Sequence, residues 1–378
     1  MKIPFVDLHA QYLAHRAEID SAIGGVIRET AFIGGDVVRD FEKRYAEHYG
    51  VRNCVSVGNG TDAIYIALRM LGIGEGDEVI TTAHSWISTS EAVSQAGAAP
   101  VFVDVDEYYL IDADRVEAAI TKRTRAIIPV HLCGQAADMG RIIAIAKKHN
   151  LIVIEDCAQA HYATWNGQRV GTFGNVATFS FYPGKNLGAY GDAGAIATND
   201  DELAKKMRMY ANHGALVKHT HLMEGINSRL DGLQAAVLSA KLPHIHDWTA
   251  RRQAVAALYD RLFAGRLPAD ALPRIRPGAT HVYHLYIIQV DRRNELVAHL
   301  QKRDIHTAVH YPTALPFMPA YARLGHRPDQ FPRAHRNQGR ILSLPIYPEM
   351  TPEMVAYVVD TVVEHVSEQP AQDRHAHA

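Results

Sequence analysis

A single lysine, Lys185, stands in a glycine-rich turn where its amine could form a covalent bond with a carbonyl ligand. The surrounding segment, Thr178–Gly188, reads TFSFYPGKNLG and follows an apolar run that ends near Ser180. A lysine that leaves a strand in this way can face a ligand, and a neutral amine is a nucleophile. Because lysine is mostly an exposed residue, the alternative is that Lys185 is simply solvated. The neighbouring residues must distinguish between these two interpretations.

Asp156 is the second residue with chemical potential, since it follows the apolar run Leu151–Ile154. This pattern places a carboxylate at the carboxyl end of a strand, where burial is costly unless a cation compensates it. A protonated pyridine nitrogen is one such cation. The alternative is that Asp156 is the N-cap of a helix, because Asp is a preferred N-cap residue.

The segment Val57–Ile64, VGNGTDAI, predicts a turn from a strand into a helix. Glycine allows the backbone to approach an anion closely, and the free N–H groups at Gly60 and Thr61 could hold a phosphate. Many α/β turns have this composition without a ligand. The hydroxyl of Ser180, expected at another strand end, strengthens the phosphate interpretation.

Trp86, in the sequence His84-Ser85-Trp86, is expected to begin the helix that follows the strand Glu78–Thr81. An aromatic side chain at that edge could stack on a flat heterocycle. The alternative is an ordinary core tryptophan.

Together, these residues supply the contacts that pyridoxal 5'-phosphate requires. They offer a phosphate site, an aromatic ring, a carboxylate for the pyridine nitrogen and a lysine for the aldehyde. Lys185 would hold the cofactor as a Schiff base, and Asp156 would keep the ring nitrogen protonated so that the ring accepts electrons. Once displaced by a substrate amine, Lys185 could move a proton.

The elements that must position these residues alternate between apolar runs and helical patterns from Val51 to Thr198. This alternation predicts an α/β fold with a mostly parallel central sheet covered by helices on both faces. Ligands are then expected at the carboxyl ends of the strands. The predicted strands are 54–57, 78–81, 100–103, 125–130, 151–154 and 177–180.

The remainder of the chain predicts long helices and then a smaller C-terminal α+β domain. We expect a large cofactor-binding domain over 1–245, a small domain over 246–366 and a disordered tail over 367–378. The predicted helices are 201–212, 230–242, 249–263, 294–303 and 352–366, and the predicted strands of the small domain are 284–290 and 307–310.

Composition excludes several classes of function. With 39 Lys and Arg against 41 Asp and Glu among 378 residues, no overall charge favours nucleic acid or an anionic membrane. Three cysteines without C-x-x-C spacing disfavour a disulfide framework, and the absence of a signal-peptide pattern or a long apolar stretch favours the cytoplasm. The 22 histidines show no ligand spacing typical of zinc, so the sequence predicts no metal site.

Four motifs, in order, resemble those of the sugar-nucleotide aminotransferases of the DegT/StrS type, which have the aspartate-aminotransferase-like fold. The similarity extends from Phe5 to Pro348. The motifs are NGTDA from Asn59, EDxAQ from Glu155, SFYxxKNLG from Ser180 and NSRLDxLQAA from Asn227.

The resemblance implies roles that spacing alone does not give. Lys185 would be the catalytic lysine, and the phosphate would bind Gly60, Thr61 and Ser180. It also implies a homodimer with shared active sites, in which Asn227 reaches the phosphate bound by the neighbouring subunit. The remaining implied contacts are Trp86 on the cofactor ring, Asp156 on its nitrogen, Gln159 on its phenolic oxygen, and Arg229, His310 and Tyr311 near the substrate.

Three positions depart from the pattern of this family. Cys133 stands where a tyrosine is usual, Cys157 replaces an alanine and Tyr162 takes a place often given to glycine. None of these changes removes a catalytic group, although each could alter the shape of the pocket. Cys157 could also suggest redox or nucleophilic chemistry, but without a partnered base it is expected to be a small buried residue.

The function implied is transfer of an amino group from an amino acid, expected to be L-glutamate, to a nucleotide-linked keto-sugar. Ser228 stands where many 4-keto members carry an aromatic residue, which favours a 3-keto sugar and leaves a 4-keto sugar as the alternative. Dehydration of a keto-deoxysugar is another reaction of this family. It accompanies a histidine in place of the lysine, so the presence of Lys185 argues against it. A non-catalytic sensor or scaffold that keeps the fold is a further alternative. The nucleotide, the sugar and the pathway stay open, whether surface polysaccharide or glycosylated natural product.

Overall fold

A computed structural model describes residues 1–367 of the chain and contains a seven-stranded sheet with flanking helices. The predicted tail therefore lies outside the described residues, apart from Ser367, which is helical instead of part of a tail. The helices are α1 Leu8–Ala14, α2 Arg16–Glu29, α3 Gly35–Tyr49, α4 Gly60–Met70, α5 Ser88–Gln95, α6 Ala113–Val116, α7 Met139–His149, α8 Asp201–Ala211, α9 Gly232–Lys241, α10 Ile245–Phe263, α11 Arg293–Lys302, α12 Pro332–Arg340 and α13 Pro352–Ser367.

The strands of the large sheet are each five residues long and largely buried, and the remaining strands are shorter. They are β1 Asn53–Val57, β2 Glu78–Thr82, β3 Ala99–Val103, β4 Thr124–Ile128, β5 Ile152–Asp156, β6 Thr164–Trp165, β7 Gln168–Arg169, β8 Val176–Ser180, β9 Gly194–Thr198, β10 Ala215–Val217, β11 Thr220–His221, β12 Tyr286–Gln289 and β13 Ile341–Leu344.

The large sheet has the strand order β1-β9-β8-β5-β4-β2-β3, and only β9 runs against its neighbours. The prediction of a mostly parallel sheet flanked by helices is confirmed. All six predicted strands between residues 54 and 180 are present, with ends shifted by one or two residues. The strand β9 was not predicted, because GAIAT consists largely of small residues and lacks the β-branched pattern of its neighbours.

Small residues in β9 have a packing reason. A Cβ atom on Gly194 would lie 2.5 Å from the carbonyl carbon and oxygen of Asn59 and 2.8 Å from the nitrogen of Gly60. Because the turn between β1 and α4 crosses directly over Gly194, a side chain there would displace that turn. The antiparallel strand thus supports the turn for which a phosphate-binding role is predicted.

A second core forms around the antiparallel pair β12 and β13, with α10, α11 and α13 packed against it. Ile3 is fully buried in this core and pairs with Ile305, although the predicted boundaries place residue 3 in the large domain. The division at residue 245 stays a prediction. The strand predicted over 307–310 is wrong, because only Ala308 forms a bridge, to Ser343, and the neighbouring residues make no ladder.

All three cysteines are buried and free of disulfide bonds. Cys157 has no exposed surface, and burial raises the pKa of its thiol well above the usual value. The expectation of a small buried residue is therefore confirmed, since a reactive cysteine needs a stabilised and accessible thiolate. Within residues 1–367, none of the helices combines the length and apolar character that a membrane span requires.

The first prediction concerns the contact between β9 and the turn before α4. Gly194→Ala is expected to lower the free energy of unfolding by about 1–3 kcal/mol, because the added methyl group overlaps rigid backbone. It should also weaken cofactor binding, since the displaced turn carries Gly60. Urea unfolding and a cofactor titration measure the two effects.

Gly339→Ala is the matched control, because the space around Gly339 in α12 is open. Ala is the better helix former by about 1 kcal/mol, so this variant should be as stable as the wild type or more stable. Equal unfolding curves for the two alanine variants would contradict the proposed contact.

Candidate active site

A cavity of about 640 Å³ opens at the carboxyl ends of the parallel strands. Its volume lies in the range of cofactor and small-molecule sites, roughly 300–1,000 Å³. Nine of the eleven predicted site residues line it, whereas Asn227 and Arg229 do not. The nine are Gly60, Thr61, Trp86, Asp156, Gln159, Ser180, Lys185, His310 and Tyr311.

One end of the cavity is formed by the first residues of α4. Asn59 is the N-cap, and its Oδ1 accepts a hydrogen bond from the nitrogen of Asp62 at 2.8 Å. A Cβ atom on Gly60 would lie 2.8 Å from the Cβ of Ser180, so only glycine fits between the helix and the end of β8. The free N–H groups of this helix start and the two hydroxyl side chains, Thr61 and Ser180, suit a phosphate group.

Asp156 ends β5 at the floor of the cavity and is 95 % buried. Its Oδ1 accepts a hydrogen bond from the nitrogen of Ala158 at 3.1 Å, and its Oδ2 accepts one from Thr89 Oγ1 at 2.9 Å. Burial raises the pKa of this carboxyl group, while the two hydrogen bonds and the charge of Lys185 act in the opposite direction. The helix N-cap alternative is wrong, because no helix begins in the described residues directly after Asp156.

Lys185 lies in a tight turn that two elements of the fold hold in place. The backbone nitrogen of Lys185 donates to the carbonyl of Tyr182 at 2.8 Å. The buried Lys241 of α9 donates from Nζ to the carbonyl of Gly188, also at 2.8 Å. Burial lowers the pKa of the Lys185 amine to about 8, although the nearby Asp156 raises it. Near neutral pH, a larger fraction of this amine is therefore neutral and nucleophilic than in an exposed lysine, although the charged form still dominates.

Trp86 lies at the mouth of the cavity with 54 % of its surface exposed, so the core-tryptophan alternative is wrong. It precedes α5 by two residues instead of beginning the helix. Its ring centroid is 5.5 Å from that of Tyr311. An exposed aromatic face beside an aspartate and a lysine suits a flat heterocyclic ligand.

Gln159 and Tyr311 connect opposite walls of the cavity. Gln159 donates from Nε2 to Tyr311 Oη at 3.0 Å, and its Oε1 accepts a hydrogen bond from the nitrogen of Cys133 at 2.7 Å. His310 is held through its Nδ1 by Ser343 Oγ at 2.9 Å. The segment between α11 and α12 that carries His310 and Tyr311 thus forms one side of the site.

Two residues that orient this arrangement were not predicted from the sequence. Thr89 orients Asp156, and buried His84 accepts at Nε2 the hydrogen bond from the backbone nitrogen of Tyr311 at 2.8 Å. Burial lowers the pKa of His84 to about 4, so this ring is neutral and can accept. The only indication for His84 in the sequence was its position beside Trp86 at a strand end. The role of Thr89 could not be predicted from the local sequence, because its partner Asp156 is 67 residues away.

Glu155, next to Asp156, points away from the cavity and is fully buried. Its carboxylate accepts hydrogen bonds from the nitrogens of Gly171, Phe173 and Gly174 at 2.7–2.8 Å and contacts His131 Nε2 at 3.1 Å. Alternate residues of a strand face opposite sides of the sheet. Glu155 therefore fixes the loop that contains residues 171–174, whereas Asp156 faces the cavity.

The three departures from the family pattern lie outside the cavity lining of the described chain. Tyr162 has a φ of 67°, a left-handed conformation that explains why glycine is common at this position. Contacts of the tyrosine ring offset the strain, since Tyr162 Oη and His48 Nδ1 are 2.9 Å apart and its ring packs 4.9 Å from that of Tyr49. The concern about pocket shape is therefore not supported at these positions.

Asn227 and Arg229 are exposed and lie between α8 and α9. Asn227 pairs with Asn212 in an isolated bridge, and Arg229 Nη1 donates to Asn212 Oδ1 at 3.3 Å. Neither residue contributes to the cavity of its own chain. Their roles across a subunit interface stay predictions.

The chain is similar to characterised proteins over almost its whole length. It is 44% identical over 364 residues to the dTDP-3-amino-3,4,6-trideoxy-alpha-D-glucose transaminase of Streptomyces venezuelae, covering 96% of each chain. It is 47% identical over 366 residues to a Geobacillus stearothermophilus protein named pleiotropic regulatory protein, covering 96% of this chain and 98% of that one.

Structural comparison agrees with the sequence comparison. The crystal structure of DesV from S. venezuelae in complex with a ketimine intermediate superimposes with a TM-score of 0.95 at 43% identity, covering 98% of this chain and 100% of the other. The model of the DegT/DnrJ/EryC1/StrS aminotransferase family matches residues 14–363. The predicted resemblance is confirmed, and this chain belongs to the DegT/DnrJ/EryC1/StrS aminotransferase family.

Proposed function

We propose that this aminotransferase uses pyridoxal 5'-phosphate to transfer an amino group from L-glutamate to a nucleotide-linked 3-keto sugar. The observation that carries the proposal is the placement of Lys185 and Asp156 in one cavity beside the start of α4. An amine, a buried carboxylate and an anion site are the three functional groups that this cofactor needs.

The cavity offers partners for three polar positions of the cofactor and for one face of its ring. The start of α4 with Ser180 would hold the phosphate, Trp86 would cover one ring face, and Asp156 would pair with the ring nitrogen. When bound, the cofactor supplies an electron sink for the bond changes at the amino-bearing carbon. Lys185 would anchor it covalently.

The protein contributes orientation and proton transfer. Thr89 and the nitrogen of Ala158 each donate to one oxygen of Asp156, which fixes the carboxylate and favours its charged form against the effect of burial. Lys185, with a pKa near 8, can accept a proton from the substrate carbon and return it to another position. Two unlike substrates that use one site in turn imply ping-pong kinetics.

The preference for a 3-keto sugar has two supports. One is the likeness to the S. venezuelae transaminase, whose name specifies a 3-amino sugar. The other is Ser228, which is 98 % buried, donates to Asp62 Oδ2 at 2.6 Å and accepts from the nitrogen of Gly58 at 3.0 Å. An aromatic residue at position 228 would not fit this environment, so the segment differs from the pattern of many 4-keto members.

We further propose a cytoplasmic homodimer in which each subunit completes the site of the other. Asn227 and Arg229 are exposed and outside their own cavity, which suits a role toward a partner subunit. Large apolar side chains near them are also exposed, including Val217 at 67 % and Leu222 at 70 %. Exposed apolar surface of this kind is typical of an interaction site.

A non-catalytic regulatory role is the second candidate, because the G. stearothermophilus relative carries a regulatory name. A protein that only senses a ligand would not need a reactive amine. The lowered pKa of Lys185 and its position opposite Asp156 favour catalysis.

The cofactor anchor is tested by borohydride reduction of the cofactor-loaded protein followed by peptide mass spectrometry. We expect a phosphopyridoxyl group on Lys185 in the wild type and none at position 185 in Lys185→Ala. An adduct on a different lysine, or none on the reconstituted wild type, would refute the proposed mechanism.

The sugar position is tested in the reverse direction, from amino-sugar to 2-oxoglutarate. We expect dTDP-3-amino-3,4,6-trideoxy-glucose or a related 3-amino sugar nucleotide to yield glutamate, and 4-amino isomers to react at least about 100-fold more slowly, because the amino group would be displaced from Lys185. Preference for a 4-amino sugar would support the 4-keto alternative. No turnover of either class, despite a confirmed anchor, would favour the regulatory role.

Thr89 provides a test of how the carboxylate is held. Thr89→Val removes a hydrogen bond to a charged group, worth about 1.5–3 kcal/mol, so kcat should fall roughly 10- to 100-fold. Loss of the donor raises the pKa of Asp156 further, so activity should be lost at higher pH on the acidic side of the profile. Thr89→Ser keeps the hydroxyl and should retain both the rate and the profile.

A folding defect is distinguished from a positioning effect by this pH profile. If Thr89→Val loses activity equally at all pH values, or if Thr89→Ser behaves like Thr89→Val, the hydroxyl does not act through Asp156.

A further inference from the structure

Three side chains with metal-ligand chemistry meet on the surface, away from the catalytic cavity. They are His15, in the corner between α1 and α2, Glu18 in the first turn of α2, and His244, directly before α10. One ligand atom from each lies within 4.8 Å of the other two. None of the three lines the cavity that contains Lys185.

The three side chains are held close together by contacts of the fold. Glu18 Oε2 and His244 Nε2 are 2.8 Å apart, and the ring centroids of His15 and His244 are 4.0 Å apart. Buried Trp248 packs against both imidazoles, with centroid distances of 5.3 Å to His15 and 5.8 Å to His244. Trp248 therefore limits the movement of the two rings and keeps them beside the carboxylate.

We propose that His15, Glu18 and His244 form a binding site for a divalent transition-metal cation such as Zn²⁺. Two imidazole nitrogens and one carboxylate oxygen are a ligand set that zinc uses with one further position for water. In a tetrahedral site with bonds of about 2.0–2.2 Å, ligand atoms lie roughly 3.4 Å apart. Side-chain adjustments of about 1 Å reach this spacing.

The availability of the ligand atoms distinguishes this cluster from the other group of similar composition, His131, Glu155 and Cys157. In that buried group, Glu155 accepts three backbone hydrogen bonds and His131 Nδ1 accepts one from the nitrogen of Ala137. At the surface cluster, no hydrogen bond within residues 1–367 occupies the ring nitrogens of His15. Glu18 is also 55 % exposed, so a cation can enter from solvent.

Two cations lie close enough to oppose metal binding. Lys241 and Arg251 both act electrostatically on His15. Both cations contact other groups, since Lys241 donates to the carbonyl of Gly188 and Arg251 pairs with Asp247 at 2.8 Å. These contacts weaken their repulsion of a metal but do not remove it, so we expect moderate affinity.

The position of the site suggests what the metal does. A bound cation would link the α1–α2 corner to the start of α10. Leu8, at the other end of the seven-residue helix α1, lines the catalytic cavity together with Phe5. The metal would therefore stabilise the N-terminal segment that forms part of the cavity wall.

Spacing along the sequence could not find this site. His15 and Glu18 are three residues apart, but His244 is 226 residues from Glu18. Two histidine pairs within residues 1–367 have i,i+2 spacing. His219 and His221 belong to neither candidate ligand group of the described chain, and of His244 and His246 only His244 belongs to one.

The test is a calorimetric titration of tag-free, cofactor-loaded, full-length protein with ZnCl₂. We expect the wild type to bind one equivalent at this site, and His15→Ala, Glu18→Gln and His244→Ala each to lower the affinity more than about 10-fold. Zn²⁺ should raise the melting temperature of the wild type but not that of the variants. Co²⁺ should give a visible ligand-field spectrum in the wild type that Glu18→Gln alters.

His306→Ala is the control, since His306 is exposed and belongs to neither candidate group. This variant should bind Zn²⁺ like the wild type. The histidines near the C-terminus remain in every protein and so contribute equally. Glu18→Gln alters an exposed side chain and should fold normally, which keeps the test valid if a histidine variant does not fold. Unchanged affinity and stoichiometry in Glu18→Gln, or no Zn²⁺ binding by the wild type, would overturn the proposal.

Discussion

Burial of the Asp156 carboxylate beside the Lys185 amine is the interaction on which the site depends. Each group is disfavoured in its charged form by burial, which raises the pKa of Asp156 and lowers that of Lys185. A carboxylate in this position is stable only if hydrogen bonds and a positive charge compensate its loss of water. The fold supplies Thr89 from α5 and the nitrogen of Ala158. A protonated ring nitrogen would complete the compensation, so this position suits a ligand with a positively charged group.

The groups that surround the cavity come from the ends of strands and the start of a helix. The carboxyl ends of β5 and β8 bring Asp156 and Ser180 to one edge of the sheet, and α4 begins at the same edge. The antiparallel strand β9 then has to pass beneath the turn before α4, which requires Gly194. This order of strands therefore brings the Asp156 carboxylate, the Lys185 amine and the start of α4 together in one cavity.

Local patterns allowed much of this to be predicted from the sequence. The apolar runs predicted six strands of the sheet, and their ends correctly placed Asp156 and Ser180 at the cavity. The features that were missed depend on partners distant in sequence. Ile3 joins the second core through Ile305, Ala308 pairs only with Ser343, and Thr89 reaches Asp156 across 67 residues. The small residues of β9 carried no strand signal, because packing rather than propensity determines that strand.

The second core, around β12 and β13, lies next to a segment that forms part of the candidate site. In this segment, Tyr311 is held twice by residues that follow strands of the large sheet, by its backbone nitrogen on His84 and by its hydroxyl on Gln159. His84 can accept this bond only while its ring is neutral, and its burial keeps it so. Because Gln159 also accepts from the nitrogen of Cys133, the position of Tyr311 is fixed by the ends of several strands together. Correct packing of the second core is therefore a condition for a complete cavity wall, even though none of its central residues contacts the ligand site.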